Sequence, residues 1–431
     1  MRSRLASALA FLTLLTVAPA PAPAAVEKLE IVERQRIADG HPFGLAGPYE
    51  KITAKVTVAV DPADPHNRAI TDLDLAPKGE DGLVRTTADL VLLQPVDGAK
   101  GNGTLLLEVP NRGGKAAVFY FNRDAGRTRD PITREDFGDG FLMRHGFTVA
   151  WVGWQVDVPQ DPSLLRLEAV PVVSPDGTPI RGLARADHVF SEPATTMPLG
   201  HRGHRSYTVA DPADEGNVLT VRDERLGERR AIPRSRWKFV ASGEGGRLDA
   251  VELDGGFLPG KIYEVVWVAQ DPVVVGLGLA AIRDVASYLK HGEGSPATVE
   301  RAIGLGISQT GRFLRHFLWL GMNEDETGRT ALDGVLAHTA GAGRGSFSHR
   351  FAQPSRDAHA FSAFFYPTDV FPFTGARQTD PVSGRTDALL EGKPGAAAAK
   401  IFFTNTGYEY WGRAASLLHP TVAGDDVFAL R

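Results

Sequence analysis

Gly304-Leu-Gly-Ile-Ser-Gln-Thr-Gly-Arg312 is the stretch on which the reading of this chain turns. Ahead of it, Val299-Glu-Arg-Ala-Ile303 is a short apolar run of the kind a buried strand makes. Behind it, in Phe313-Leu-Arg-His-Phe-Leu-Trp-Leu320, Phe313, Phe317 and Leu320 fall on one helical face, flanked by Leu314 and Leu318. Gly321 and Asn323 close that helix. Ser308 is thus predicted on a tight strand-to-helix turn packed with small residues. Such a turn pushes a hydroxyl out at the carboxyl end of a sheet and aims the next helix's N–H groups at it. Two readings fit: a serine presented for reaction, or a serine that caps its helix. The Gly-x-Ser-x-Gly pattern of a nucleophile elbow is imperfect, because Thr310 holds the fifth position and the glycine follows at Gly311.

Around this turn, strands and helices alternate. Gly103-Thr-Leu-Leu-Leu-Glu-Val109 reads as a strand running into the glycine-rich Pro110-Asn-Arg-Gly-Gly114. Glycine there allows backbone N–H groups close to a substrate, as an oxyanion hole requires, and it equally suits an ordinary turn. Phe141 to Trp154 reads as a helix end, a glycine stop and a buried strand from Phe147. Ile262 to Ala269 is a strand, Val274 to Leu289 a helix, Leu332 to Ala337 a strand, and Lys400 to Asn405 the last clear strand. Alternation of this kind predicts an α/β fold with a mainly parallel sheet and helices on both faces.

Two regions depart from that rhythm. Residues 25–100 are β-rich, with alternation in Ile52 to Val60 and Arg85 to Leu93, and are expected to form an N-terminal β module. Residues 158–260 carry short alternating runs such as Leu167 to Val173 between turns, and predict a β-rich insertion over the carboxyl edge of the sheet. The core is then 101–157 and 261–431. Arginines between Arg222 and Arg236 suit either an acidic substrate group or a solvated surface.

Met1-Arg-Ser-Arg4, the apolar Leu5 to Val17 and the small residues Ala22-Pro-Ala24 make residues 1–24 a secretory signal peptide, with a membrane anchor as the alternative. Export to the periplasm or the medium follows, with no membrane span in the mature chain. The 431 residues include no cysteine, which excludes thiol catalysis and cysteine metal sites. A net charge of -5, spread along the chain, argues against nucleic acid as a partner.

A serine nucleophile needs a base, and the base needs an orienting acid. Glu409, just past the last clear strand in Tyr408-Glu-Tyr-Trp-Gly-Arg413, is placed to be that acid, among aromatic neighbours that would limit water, or to cap the helix from Tyr410 to Leu418. Asp369 and Asp425 are weaker rivals. With Glu108 to Gly114, Gly306 to Arg312, Gly341 to Ser346 and Tyr408 to Arg413, the chain resembles the α/β-hydrolase superfamily, and within it exported bacterial α/β-hydrolase domain proteins. The elbow also resembles that of glucuronoyl esterases, Gly-x-Ser-Arg-x-Gly-Lys, with Gln309 in place of their arginine.

The resemblance implies ester hydrolysis through an acyl-enzyme, with Ser308 as nucleophile, on a small-molecule or oligomeric ester. It places the oxyanion on the N–H of Gln309 and one of Asn111, Arg112 or Gly113, with no metal and no cofactor. An exported binding protein without turnover and a serine peptidase are the alternatives. His338, His349 and His359 precede the acid and read as turn or core residues; His419 lies only ten residues after Glu409. The catalytic histidine is therefore expected beyond Arg431, in a C-terminal part of the core that this chain lacks.

Overall fold

A computed structural model describes residues 26–242, 246–356, 368, 370–421 and 423–425. The expected leader at 1–24, His359, Asp369 and residues 426–431 lie outside the described residues.

The chain opens with three strands, β1 (Val26–Arg36), β2 (Tyr49–Val60) and β3 (Val84–Pro95). Strand β4 (Thr104–Glu108) leads through the glycine-rich loop to the short helix α1 (Ala117–Phe121), and α2 (Phe141–Arg144) precedes β5 (Thr148–Val152). Next come β6 (Arg181–Val189), β7 (Ala194–Pro198), β8 (Thr208–Val209) and β9 (Val218–Arg222). They are followed by β10 (Arg230–Ile232), β11 (Trp237–Val240), β12 (Ala250–Phe257) and β13 (Ile262–Gln270). Helix α3 (Leu277–His291), strand β14 (Arg301–Ile307), helix α4 (Gln309–Trp319) and strand β15 (Gly334–His338) come next. A small hairpin, β16 (Gln378–Thr379) and β17 (Thr386–Asp387), precedes β18 (Lys400–Thr404) and α5 (Gly407–Gly412).

One eight-stranded sheet organises the molecule, in the order β1-β2-β3-β5-β4-β14-β15-β18. The ladders from β1 to β5 are antiparallel, and those from β5 through β4, β14 and β15 to β18 are parallel. The parallel half is the half that carries the elbow. Residues 26–95 do not form a module apart. They supply the antiparallel half of this sheet, because Leu90 to Leu93 are buried on alternate faces and must be covered on both sides.

The two faces have separate cores. On one, Ile52, Leu90, Leu105 and Leu107 pack with Ile282 and Val285 of α3 and Phe313 and Phe317 of α4. Each such buried side chain contributes about 1.5–3 kcal/mol. On the other, Leu106, Val149, Trp151 and Leu305 pack with Val118 of α1 and Leu142 and Met143 of α2. Both long helices thus share one face, and the opposite face is covered by short ones. Within the first core, Arg283 is fully buried, bonding Asp284 at 2.7 Å and Asn67 at 2.8 Å, with Glu326 at 3.5 Å.

Away from the main sheet, the strands between Arg181 and Gln270 pair among themselves. Strands β6, β9, β10 and β13, with β8 joined to β13, form one sheet, and β7, β11 and β12 another. Their shared core includes Trp237, Phe257, Tyr263 and Trp267. Strand β13 therefore belongs to this lobe, not to the main core. Its alternating residues pack on lobe aromatics, a partnership that periodicity alone does not reveal. Conversely, Leu167, Val170 and Val172 pack in the main core, so the lobe runs from Arg181 to Gln270. Strand β18 ends the main sheet on its parallel side, with Phe402 and Phe403 exposed.

Candidate functional site

Strand β14 runs four residues beyond the expected Ile303, through Gly304 and Gly306. These glycines serve close packing inside the strand. A Cβ on Gly306 would lie 2.3 Å from the Thr310 carbonyl oxygen, so this approach of strand and helix requires glycine there. Ser308 follows at φ 58 and ψ -109, a conformation that costs a non-glycine residue about 1–3 kcal/mol. Its N–H is donated to the His338 carbonyl at 2.8 Å, and its hydroxyl makes no helix-capping bond. The capping alternative for Ser308 is thereby excluded. Thr310 has a use of its own: its hydroxyl accepts the Ile307 N–H at 2.9 Å and lies 3.2 Å from the Ile307 carbonyl. Gly311 passes close to Ala340, whose Cβ would be 2.9 Å from an added methyl.

The loop after β4 is held rigidly against this turn. Glu108 is fully buried and accepts from Ala116 N–H at 2.9 Å, Ala117 N–H at 2.5 Å and Trp151 Nε1 at 2.5 Å. Burial pushes its carboxyl up to about 7, against the pull of those donors. Trp154 Nε1 donates to the Pro110 carbonyl at 2.8 Å, and Asn111 Nδ2 to the Ile307 carbonyl at 3.2 Å. Arg112 and Gly113 both have positive φ, 53 and 80. The Arg112 N–H is already donated to Gln155 Oε1 at 2.9 Å.

A bridging segment ties loop, elbow and lobe together. The Gln309 side chain, fully buried, donates to the Pro354 carbonyl. Arg112 Nε donates to the Ser355 carbonyl at 2.9 Å, and the Ser355 N–H donates to Asp157 Oδ2 at 3.1 Å. Gln155 Nε2 reaches Asp157 Oδ1 at 3.2 Å, closing a ring of polar contacts from the loop to the lobe. Arg356 continues into the lobe, donating to the Leu199 carbonyl at 2.7 Å.

Glu409 lies where the sequence expected, just past β18, but its carboxylate is engaged. It accepts from the Thr406 N–H at 2.9 Å and from the Thr406 hydroxyl, closing a capping box on α5. Tyr408 and Trp411 beside it are exposed, so the expected aromatic shield is not built. The helix expected from Tyr410 to Leu418 is broken at Ala414, which has φ 54. His338 is half-buried, its Nδ1 2.8 Å from the Thr404 hydroxyl and its ring edge-on to Tyr120. His349 is exposed, and His419 lies against Tyr410. Among the described residues no histidine hydrogen-bonds the Ser308 hydroxyl.

Several residues of this site escaped the sequence reading. Glu108 left a signal, a lone carboxylate in the apolar run Leu105 to Val109. Gln155, Asp157 and Ser355 left none, since their contacts join segments 43 residues apart at Arg112–Gln155 and 198 apart at Asp157–Ser355. His204 of the lobe is another. It is buried, with Nδ1 2.9 Å from the His201 carbonyl and no hydrogen-bond partner for Nε2 among the described residues. Burial lowers its pKa, and the charges of Asp157 and Arg112 act on it.

Among the described residues there is no cluster of side chains suited to a metal, and no helix is long and apolar enough to cross a membrane.

Residues 251–383 match the family described as an alpha/beta hydrolase domain. A glucuronoyl esterase from Solibacter usitatus is similar in structure at 12% identity, over 76% of this chain and 55% of that chain, with a TM-score of 0.28. The match thus spans about half of that esterase and is too loose to carry detail across. No curated protein matches the chain. The likeness to the α/β-hydrolases thus rests on residues 251–383.

Proposed function

We propose that this chain is a serine hydrolase that cleaves carboxylic esters through an acyl-enzyme. The observation that carries the proposal is Ser308, held at φ 58 and ψ -109 with its hydroxyl unused by the helix behind it. Strain of this kind persists only where the surroundings enforce it, and here Gly306, Thr310 and Gly311 do so. In this reading Ser308 Oγ attacks the ester carbonyl, the alcohol leaves with a proton, and water then releases the acid. The N–H of Gln309 and that of Asn111 or Gly113 receive the oxyanion, since the Arg112 N–H is engaged by Gln155.

The proton acceptor is a histidine in this reading, placed outside the described residues. Glu409 orients it only if its carboxylate leaves Thr406, a release that would cost the α5 cap about 1 kcal/mol. The substrate is a small-molecule or oligomeric ester taken at the junction of the sheet and the lobe. Export rests on residues 1–24.

The test is acylation, since turnover also depends on the base. Incubation with 4-nitrophenyl acetate should add one acetyl group, found by peptide mass spectrometry on Ser308 and absent in Ser308→Ala. Acetyl on other residues alone, or equal hydrolysis by Ser308→Ala, would sink the proposal. The second reading, an exported binding protein on this scaffold, is favoured by one observation: the Glu409 carboxylate is held by Thr406 in the cap of α5. Matched ester and amide substrates separate esterase from peptidase.

A further inference from the structure

Where the lobe meets the main core there is a cleft of about 170 Å³, lined from the lobe by Arg205, Ser206 and Arg247 and from the core by Asp157 and Asp271. Its charges are unevenly used. Asp157 already accepts from Ser355 and Gln155, and Asp271 accepts from Gln270 Nε2 at 3.0 Å. The two guanidinium groups have no carboxylate or carbonyl partner among the described residues. Arg247 Nε is buried without a hydrogen bond, and so is the hydroxyl of Ser206, a residue only 7% exposed. Burial lowers the Arg247 pKa and the like charge of Arg205 lowers it further, with the charge of Asp249 pulling the other way. An unsatisfied buried donor is costly, and two like charges facing one cleft add to that cost.

We propose that this cleft binds a small oxyanion, a carboxylate held between Arg205 and Arg247 with the Ser206 hydroxyl as a third donor. A guanidinium presents paired N–H groups that match a carboxylate's two oxygens, and the anion removes the repulsion between the arginines. The cleft also borders the polar ring: Asp157 lines it and bonds Ser355, whose carbonyl accepts from Arg112 of the loop. An anion there stands two hydrogen-bonded contacts from the elbow's loop. The site does not depend on the ester reading.

The test is titration calorimetry of the full chain with malonate at neutral pH and low ionic strength, with inorganic phosphate as the tetrahedral comparison. Saturable malonate binding is expected, weakened about tenfold or more by Arg205→Gln and by Arg247→Gln. Arg202→Gln, an exposed charge in the same loop, should leave it within about twofold. Because Arg205 is exposed, its variant tests the site even if Arg247→Gln fails to fold. If the carboxylate belongs to a substrate, malonate will raise KM for an acid-bearing ester and leave a neutral ester unchanged. If it is a free anion, malonate binds and neither KM moves. The absence of saturable binding, tighter binding of phosphate than of malonate, or an equal loss in Arg202→Gln overturns the proposal.

Discussion

Substituting alanine for Gly306 tests the elbow without touching its serine. The added Cβ would stand 2.3 Å from Thr310 O, 2.5 Å from its carbonyl carbon and 2.6 Å from Gly311 N. Non-bonded carbons rest at about 3.5–4.0 Å, so the shortfall is more than about 1 Å. All three neighbours are backbone atoms, so no rotamer change relieves the clash. Strand β14 and helix α4 must separate, which breaks the Thr310–Ile307 bond of 2.9 Å. Losing that buried bond costs about 1 kcal/mol, and overpacking costs about 1–3 kcal/mol. Gly306→Ala should therefore lose about 3 kcal/mol in urea unfolding followed by tryptophan fluorescence.

Two other glycines calibrate that figure. Gly304→Ala meets only side-chain carbons, Leu332 Cδ1 at 2.8 Å and Leu314 Cδ2 at 3.4 Å, and should cost about 1 kcal/mol. Gly407→Ala meets nothing within 4 Å in the first turn of α5 and should gain a few tenths of a kcal/mol, about what helix propensity allows. Ester acylation should fall about a hundredfold in Gly306→Ala, because Ser308 moves with the strand. Equal stability losses for Gly304→Ala and Gly306→Ala would refute the reasoning.

Two further predictions concern buried charge. Glu108 is raised from 4.5 to about 7 in the folded chain, so its protonated form is the favoured one there. The stability it contributes is full below pH 4.5 and is lost as the pH rises through about 7, by about 3 kcal/mol in all. Glu326 is also raised to about 7, so the quantity to measure is wild type minus Glu108→Gln across pH 4 to 8, roughly the window of that linkage. A flat difference counts against the assignment. Arg283→Met leaves Asp284 and Glu326 buried without their cation and should cost about 3–5 kcal/mol in the same unfolding assay; a loss under about 1 kcal/mol would show that water compensates them.

The sequence alone was enough to place the strand, turn and helix around Ser308, because apolar periodicity and glycine punctuation are local properties. Helix α4 and strands β2, β3, β14, β15 and β18 all lie where their patterns indicate, within a few residues. The alternation of strands with helices was likewise enough for the α/β class. Partner choice was not legible. The alternation in Ile262 to Ala269 suits a strand in either sheet, and packing on Trp237 and Phe257 assigned it to the lobe. Glu409 reads as an acid or as a cap, and its contact with Thr406 in the cap is not visible in the sequence. The polar ring of Arg112, Gln155, Asp157 and Ser355, and the unpaired arginines of the cleft, join segments remote along the chain. Contacts of that kind depend on where folded elements come to rest, so they become visible only once the tertiary structure has brought the segments together.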